Sequence, residues 1–393
     1  MTKITDIPAI RFKGFSDTWE QRKVREVTDR YDNLRIPVAA SLRVAGTTPY
    51  YGANGIQDYV DGYTHDGEFI LVAEDGANDL KNYPVKCVKG RIWVNNHAHV
   101  LQGKYDCADN QFLAYAISQA DIESLLVGGG RAKLNAETLM GIDLLLPNKA
   151  EQIRIGKYLA QLDNLITLHQ RKYDKLTNVK KSMLEKMFPQ NGSNAPEIRF
   201  KGFTEAWEQR KLGDVADIVG GGTPSTGNQS YWDGDIDWYA PAEIADQIYA
   251  NSSQKKITGL GYENSSAKML PPGTVLFTSR AGIGKTAILT RKGCTNQGFQ
   301  SIVPHRGELD SYFIFSRTEE LKRYGELVGA GSTFVEVSGK QMAVMELMMP
   351  PTMREQQTIG GFFQQLDHLI TLHQRELEKL KNLKKACLEK MFV

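Results

Sequence analysis

The sequence predicts an α+β chain written twice: two loop-rich α/β domains of one plan, separated by two long helices that pair as an antiparallel coiled coil. Three observations predict it. First, long blocks recur in the same order. "IRFKGFSDTWEQRK" at 10–23 returns as "IRFKGFTEAWEQRK" at 198–211, "LDNLITLHQR" at 162–171 as "LDHLITLHQR" at 366–375, and "LEKMF" at 184–188 and 388–392. Second, each half ends in a run of apolar positions at alternating steps of four and three. Third, the rest of each half carries short β-branched runs between Gly, Asn and Tyr-rich loops, as in "FILVA" (69–73), "RIWVN" (91–95) and "TVLFT" (274–278).

The first seam runs Ile155, Leu159, Leu162, Ile166, His169, Tyr173, Leu176, Lys180, Met183, Met187. The second runs Ile359, Phe363, Leu366, Ile370, His373, Leu377, Leu380, Lys384, Cys387, Met391. A seam of this period asks for a partner helix, and the nearest partner for each is the other. His169 and His373 hold equivalent seam positions, where polar residues fix register. Lys180-Lys181 and Lys384-Lys385 read as solvated faces, with contact to DNA phosphates or a partner protein as the alternative. The boundaries that follow are a first domain at 1–150, a first helix at 151–189, a second domain at 190–352 and a second helix at 353–393. "LVGGG" (126–130) matches "LVGAG" (327–331), and each precedes a strand ending at Pro147 or Pro350. Between the matched blocks the halves diverge: "TTPYYGANGIQDYVDGY" (47–63) stands against "GGGTPSTGNQSYWDGDIDWYAPAEI" (220–244).

Bulk properties exclude several classes. The 393 residues are 41% hydrophobic and 24% charged, ordinary for a globular protein, and a net charge of +2 argues against binding through global charge. Cys87, Cys107, Cys294 and Cys387 are far apart, which fits reduced, buried or half-buried thiols rather than a zinc site or disulfide framework. No apolar run is long enough to span a bilayer and no leader is visible, so a cytoplasmic protein with no membrane partner is expected.

"GIGKT" (282–286) imitates a nucleotide-binding P-loop, G-x-x-x-x-G-K-[ST]. The first glycine of that pattern falls on Ser279, and "TAILT" after the lysine is again strand-like. A phosphate cradle needs a helix N-terminus there, so a turn between strands is the better reading. Aligning Gly67–Asp79 with Gly273–Lys285 sets Arg280 on Glu74, so the same loop is acidic in one half and basic in the other. No catalytic constellation emerges. His97 and His99 read as hydrogen-bonded strand-end histidines, "EDGAND" (74–79) as a glycine turn with solvated acids, and no metal site is expected. Two divergent modules on a rigid spacer suit recognition, and duplex DNA offers two half-sites about 34 Å or its multiples apart.

Several blocks together resemble the specificity subunit of type I restriction-modification systems: "GGTPSTGNQSYWDGDIDW" (221–238), "TSRAGIGKTAI" (278–288), "TNQGFQSI" (295–302), "GSTFVEVS" (331–338) and the two "LHQR" helices. In the first half, "PYYGANGIQDYV" (49–60), "WVNNHAHVLQGK" (93–104) and "AKLN" (132–135) look like a second class of the same domain. The resemblance implies two target recognition domains, each reading one half of an asymmetric bipartite site on double-stranded DNA. It also implies helices that set the spacer, and docking to two modification subunits that carry S-adenosylmethionine and methylate adenine. Two restriction (motor) subunits using ATP and magnesium are the further partners such a complex admits. The chain itself would hold no cofactor and no catalytic residue. By position on glycine-flanked polar loops, the candidate DNA contacts are Tyr50, Tyr51, Asn54, Asn95, Asn96, Lys104 and Lys133, then Thr223, Ser225, Thr226, Asn228, Arg280, Lys285, Asn296, Gln297, Ser332 and Thr333.

Overall fold

A computed structural model describes residues 7–128, 132–190, 192–244, 247–280, 282–330 and 336–392. The chain packs as two compact units, one of Met1–Arg171 with Gln374–Val393 and one of Lys172–His373.

Unit 1 holds a six-stranded mixed sheet in the order Thr28–Arg30, Ala98–Gly103, His65–Ala73, Val85–Val94, Ala45–Gly52, Gly55–Val60. Its pairs are antiparallel except Ala45–Gly52 beside Val85–Val94, where Tyr50 faces Trp93 in parallel register. The run "FILVA" is apolar throughout because both faces of its strand are covered. Ile70 and Val72 pack with Phe112, Leu113 and Ile117 of the helix Asn110–Ser118, while Phe69 and Leu71 pack with Tyr51, Ile92 and Val100 on the other side. A short ladder of Glu20–Lys23 against Asp143–Leu146 closes the domain, its second strand ending one residue before Pro147.

Unit 2 repeats the plan with more strands. One sheet runs Ala216–Gly220, Gln300–Pro304, Val275–Phe277, Thr286–Leu289, Tyr249–Ala250; another runs Lys255–Ile257, Trp232–Tyr239, Cys294–Thr295. Val275 and Phe277 enter one core and Leu276 the other, as in "FILVA". The ladder Glu208–Lys211 against Glu346–Met349 matches its counterpart in unit 1. After the short helix Ser311–Phe315, unit 2 adds the helix Thr318–Gly329, where unit 1 has a 3-10 turn, Glu123–Leu125.

The long helices span Lys149–Lys186 and Met353–Met391, and every residue of both predicted seams is buried or half-buried, His169 and His373 included. In unit 1, Tyr158 bonds Cys387 and Asp163 bonds Lys384 at 2.6 Å, an antiparallel register. In unit 2, Lys180 bonds Asp367 at 2.5 Å. Each aspartate also accepts the hydroxyl of a tyrosine from the short helix packed on it: Tyr115 to Asp163 at 2.6 Å, and Tyr312 to Asp367 at 2.9 Å. Burial, with the adjacent carboxylate, pushes both phenols far above their ordinary value. The lysine pairs are therefore not wholly solvated faces: Lys180 and Lys384 are seam partners, and only Lys181 and Lys385 are exposed.

The repeated tails end in the cores. Phe392 stacks on Phe112 and meets Trp19 edge-on in unit 1, and Phe188 stacks on Phe363 and meets Trp207 edge-on in unit 2. The arginine of each "IRFKGF" block makes a two-pronged bond to a buried glutamate, Arg11 to Glu151 and Arg199 to Glu355. The four cysteines are free; Cys107 is exposed, against expectation, because it lies in the turn before the helix Asn110–Ser118. Among the described residues no helix is long and apolar enough to cross a membrane.

Candidate nucleic-acid interface

Both units build the same turn at the same place. In unit 1 the Asn95 N–H donates to the Tyr51 carbonyl at 3.0 Å, and the Asn95 side-chain oxygen accepts the His97 N–H at 2.9 Å. In unit 2 the Asn296 N–H donates to the Tyr239 carbonyl at 3.0 Å, and its side chain accepts the Gly298 N–H at 2.8 Å. An asparagine that bonds its own backbone two residues on fixes an Asx turn. Asn95 and Asn296 are thus turn makers, and Asn95 is buried. The next residues, Asn96 and Gln297, are turned out to solvent. Gln297 also accepts a hydrogen bond from the Thr223 hydroxyl.

A second twin feature lies beside each turn. Glu74 donates its N–H to the His97 carbonyl at 2.9 Å and accepts from Leu134 N–H at 2.7 Å; Ser279 does the same with Gly298 at 2.8 Å and Val337 at 3.0 Å. Glu74 therefore corresponds to Ser279, and Arg280 to Asp75. The sequence alignment that set Arg280 on Glu74 is one residue out of register, because the glycines used to anchor it do not occupy matching backbone positions. The corrected pairs are bridges between Asp75 and Lys133 in unit 1 and between Arg280 and Glu336 in unit 2, with the charges exchanged.

Of the acids of "EDGAND", Asp79 is solvated as expected, but Glu74 and Asp75 are not. Glu74 bonds Arg35 at 2.6 Å and Lys133 at 2.9 Å, and Asp75 bonds His97 at 2.5 Å. Buried His99 lies between Asp32, at 2.8 Å, and the Leu134 carbonyl, at 2.9 Å, so both histidines gain carboxylates from distant segments. Burial works to raise the Asp32 and Glu74 carboxyls, but bonds from His99 to the first and from Lys133 and Arg35 to the second hold both below their ordinary values. Such a paired network stiffens the edge of the domain; among the described residues, no group of three or more His, Cys, Asp or Glu could hold a metal ion.

The remaining candidates divide by what their side chains already do. Tyr50 and Tyr51 are core residues at 1% and 6% exposure, and the Tyr50 hydroxyl is engaged with Val38. Neither ring has surface to offer a duplex. Asn54 ties its hairpin to Gly76 and Asn78, and the Lys104 ammonium caps the carbonyls of Arg25 and Glu26. Asn228 caps the turn at Ser230. Ser225 and Thr226 are exposed on the same loop, the Ser225 carbonyl accepting from the Trp232 indole. Lys133, Arg280 and Lys285 remain at least partly accessible. Ser332 and Thr333 lie outside the described residues.

"GIGKT" is a hairpin turn between Val275–Phe277 and Thr286–Leu289, which pair antiparallel. Thr278 absorbs the loop: its N–H donates to the Lys285 carbonyl, its carbonyl accepts the Gly284 N–H, and its hydroxyl bonds the Gly282 carbonyl and the Lys285 N–H at 2.7 and 2.9 Å. The Gly284 and Lys285 N–H groups are spent and cannot cradle a phosphate. Gly284 has φ +94°, and a Cβ there would sit 2.4 Å from Lys322 Cβ. Gly284→Ala is expected to cost about 2–4 kcal/mol, from backbone strain plus overpacking. A denaturant melt matching wild type would refute this hairpin geometry.

The two units are domains of one plan, with matching turns that show different polar groups. The family described as "Type I restriction modification DNA specificity domain" matches residues 16–178 and 204–382, and the chain belongs to it. It is 44% identical over 146 residues to a putative type I restriction enzyme specificity subunit of Haemophilus influenzae, covering 37% of this chain and 38% of that one. It is 33% identical over 190 residues to the type I restriction enzyme MjaIX specificity subunit of Methanocaldococcus jannaschii, covering 48% and 44%. The matched stretches thus span less than half of either relative. The crystal structure of a type I restriction-modification system S subunit from M. genitalium shares the fold, with a TM-score of 0.70 at 14% identity over 98% of this chain and 99% of that one.

Proposed function

We propose that this chain is the non-catalytic DNA-specificity subunit of a type I restriction-modification complex, acting in the cytoplasm. Each recognition domain reads one half of an asymmetric bipartite target. The long helices set the spacer and dock two modification subunits, which bring S-adenosylmethionine and methylate adenine. Where the complex carries a nuclease, two motor subunits supply ATP- and magnesium-dependent cleavage.

The observation that carries this reading is the pair of matching turns. The same Asx turn presents Asn96 in one unit and Gln297 in the other, beside backbone bridges whose residues carry exchanged charges, Asp75 and Lys133 against Arg280 and Glu336. Asn and Gln suit the paired donor and acceptor of adenine, and Arg or Lys suits guanine. A shared scaffold with different exposed groups is what two unlike half-sites require. The reading gathers Asn96, Lys133, Ser225, Thr226, Arg280 and Gln297 as DNA contacts beside the bases, and Lys285 as a contact to phosphate. Asn54, Asn95, Lys104, Thr223, Asn228 and Asn296 shape the loops that hold them.

Genome-wide mapping of methylated adenine in cells with and without the chain tests it. One bipartite, non-palindromic motif is expected to vanish with the gene. An unchanged methylation map would sink the proposal.

A further inference from the structure

Unit 2 contains a cleft of about 740 Å³ between the first long helix, the "GIGKT" hairpin and the helix Thr318–Gly329. Four lysines line it: Lys180 and Lys181 of the first long helix, Lys285 of the hairpin and Lys322 of the helix Thr318–Gly329. Lys180 is committed to Asp367, whereas Lys181, Lys285 and Lys322 have no ion-pair or side-chain hydrogen-bond partner among the described residues. These three ammonium groups, from separate elements, outnumber the two carboxylates that line the cleft, Glu319 and Glu326, and an anion would offset the surplus positive charge.

We propose that this cleft grips the phosphodiester backbone of the DNA beside the half-site read by the second domain; the inference rests on the DNA-specificity reading above. Three features favour a duplex backbone over a nucleotide. The Gly284 and Lys285 N–H groups that would cradle a terminal phosphate are spent on Thr278. Glu319 and Glu326 line the same cleft, which disfavours a compact, multiply charged ligand such as a triphosphate but tolerates singly charged phosphates passing the lysines. Arg280, at the recognition edge, lies on the same hairpin five residues before Lys285, so one loop links base reading to backbone grip.

The grip is one-sided. Among the described residues, unit 1 has the 3-10 turn Glu123–Leu125 where unit 2 has the helix bearing Lys322, and Lys385, the repeat of Lys181, leans on Glu389 at 3.9 Å. Contacts of this kind position a duplex without reading it.

The test uses the full chain assembled with its modification subunits, and measures affinity for a duplex carrying the methylated motif and for a scrambled duplex, from about 50 to 200 mM salt. The triple variant K181A/K285A/K322A is expected to bind both duplexes more weakly. Its slope of log affinity against log salt should fall by roughly 2–3, about 0.9 for each phosphate that a lysine no longer neutralises. The methylated sequence stays the same, the lysine-to-arginine triple keeps the wild-type slope, and K385A leaves it unchanged. An unchanged slope in the alanine triple overturns the cleft, and so does a changed motif without a change in slope, or ATP binding by the chain that K285A abolishes. A slope lowered as far by K385A overturns the one-sided grip. If the wild-type assembly binds neither duplex, the DNA-specificity reading itself falls.

Discussion

Exchanging residues 195–350 for the corresponding stretch of a relative with another target is expected to change one half of the methylated motif and leave the other half and the spacer intact. The cores make this cut workable. Met187 and Phe188 on one side and Ile359, Phe363 and Leu366 on the other all enter the unit 2 core, and all lie outside the exchanged segment. A relative that supplies apolar partners at the positions of Trp207, Tyr312 and Phe313 preserves that packing. Each mismatched base pair costs about 1–3 kcal/mol, so the former half-site should drop below detection when several pairs change together. Methylome sequencing of the chimera reads the outcome. A change in both half-sites would show that the domains do not read independently.

Arg199→Ala should have the largest effect on stability. Glu355 is 1% exposed and takes two bonds from Arg199, at 2.7 and 2.8 Å, plus one from the Trp207 indole at 3.3 Å. Removing the guanidinium strands a carboxylate away from water, a loss of about 3–5 kcal/mol. Arg199→Lys should rescue little, because an ammonium cannot reproduce the two-pronged geometry. The same holds for Arg11 and Glu151 in unit 1, where Glu151 is fully buried. Hydrogen exchange followed through a denaturant series is the measurement. Protection should be lost first across residues 198–373 in the Arg199 variant, and uniform loss, or a wild-type profile, would contradict the assignment.

Much of this was legible in the sequence, and the gaps have physical causes. The seams survive intact because a sustained four-three spacing leaves one buried stripe on a helix. The hairpin at Gly282–Lys285 is readable because apolar β-branched runs flank it. Burial of Tyr50 and Tyr51 is not readable: "PYYGAN" looks like a surface turn, and residues outside that block cover the rings, Arg43 and Trp93 over Tyr50 and Phe69, Leu71 and Ile92 around Tyr51. Lys104 resembles any loop lysine until the fold brings it to carbonyls 78 and 79 residues away. The Tyr–Asp–Lys clusters share no local pattern, since their members come from three separate segments. The exchanged charges of Asp75–Lys133 and Arg280–Glu336 were hidden by a one-residue slip that only backbone bonding resolves.

The last twenty residues of the chain belong to the unit that begins it. During synthesis the first domain leaves the ribosome early, yet Cys387, Met391 and Phe392 of its core emerge only some two hundred residues later. The Ile10 N–H likewise waits for the Lys390 carbonyl. Unit 2, whose members are contiguous, has all its parts before unit 1 does. Order of manufacture and order of completion are therefore reversed: the core around Trp19 and Phe112 stays incomplete until Phe392 has been made.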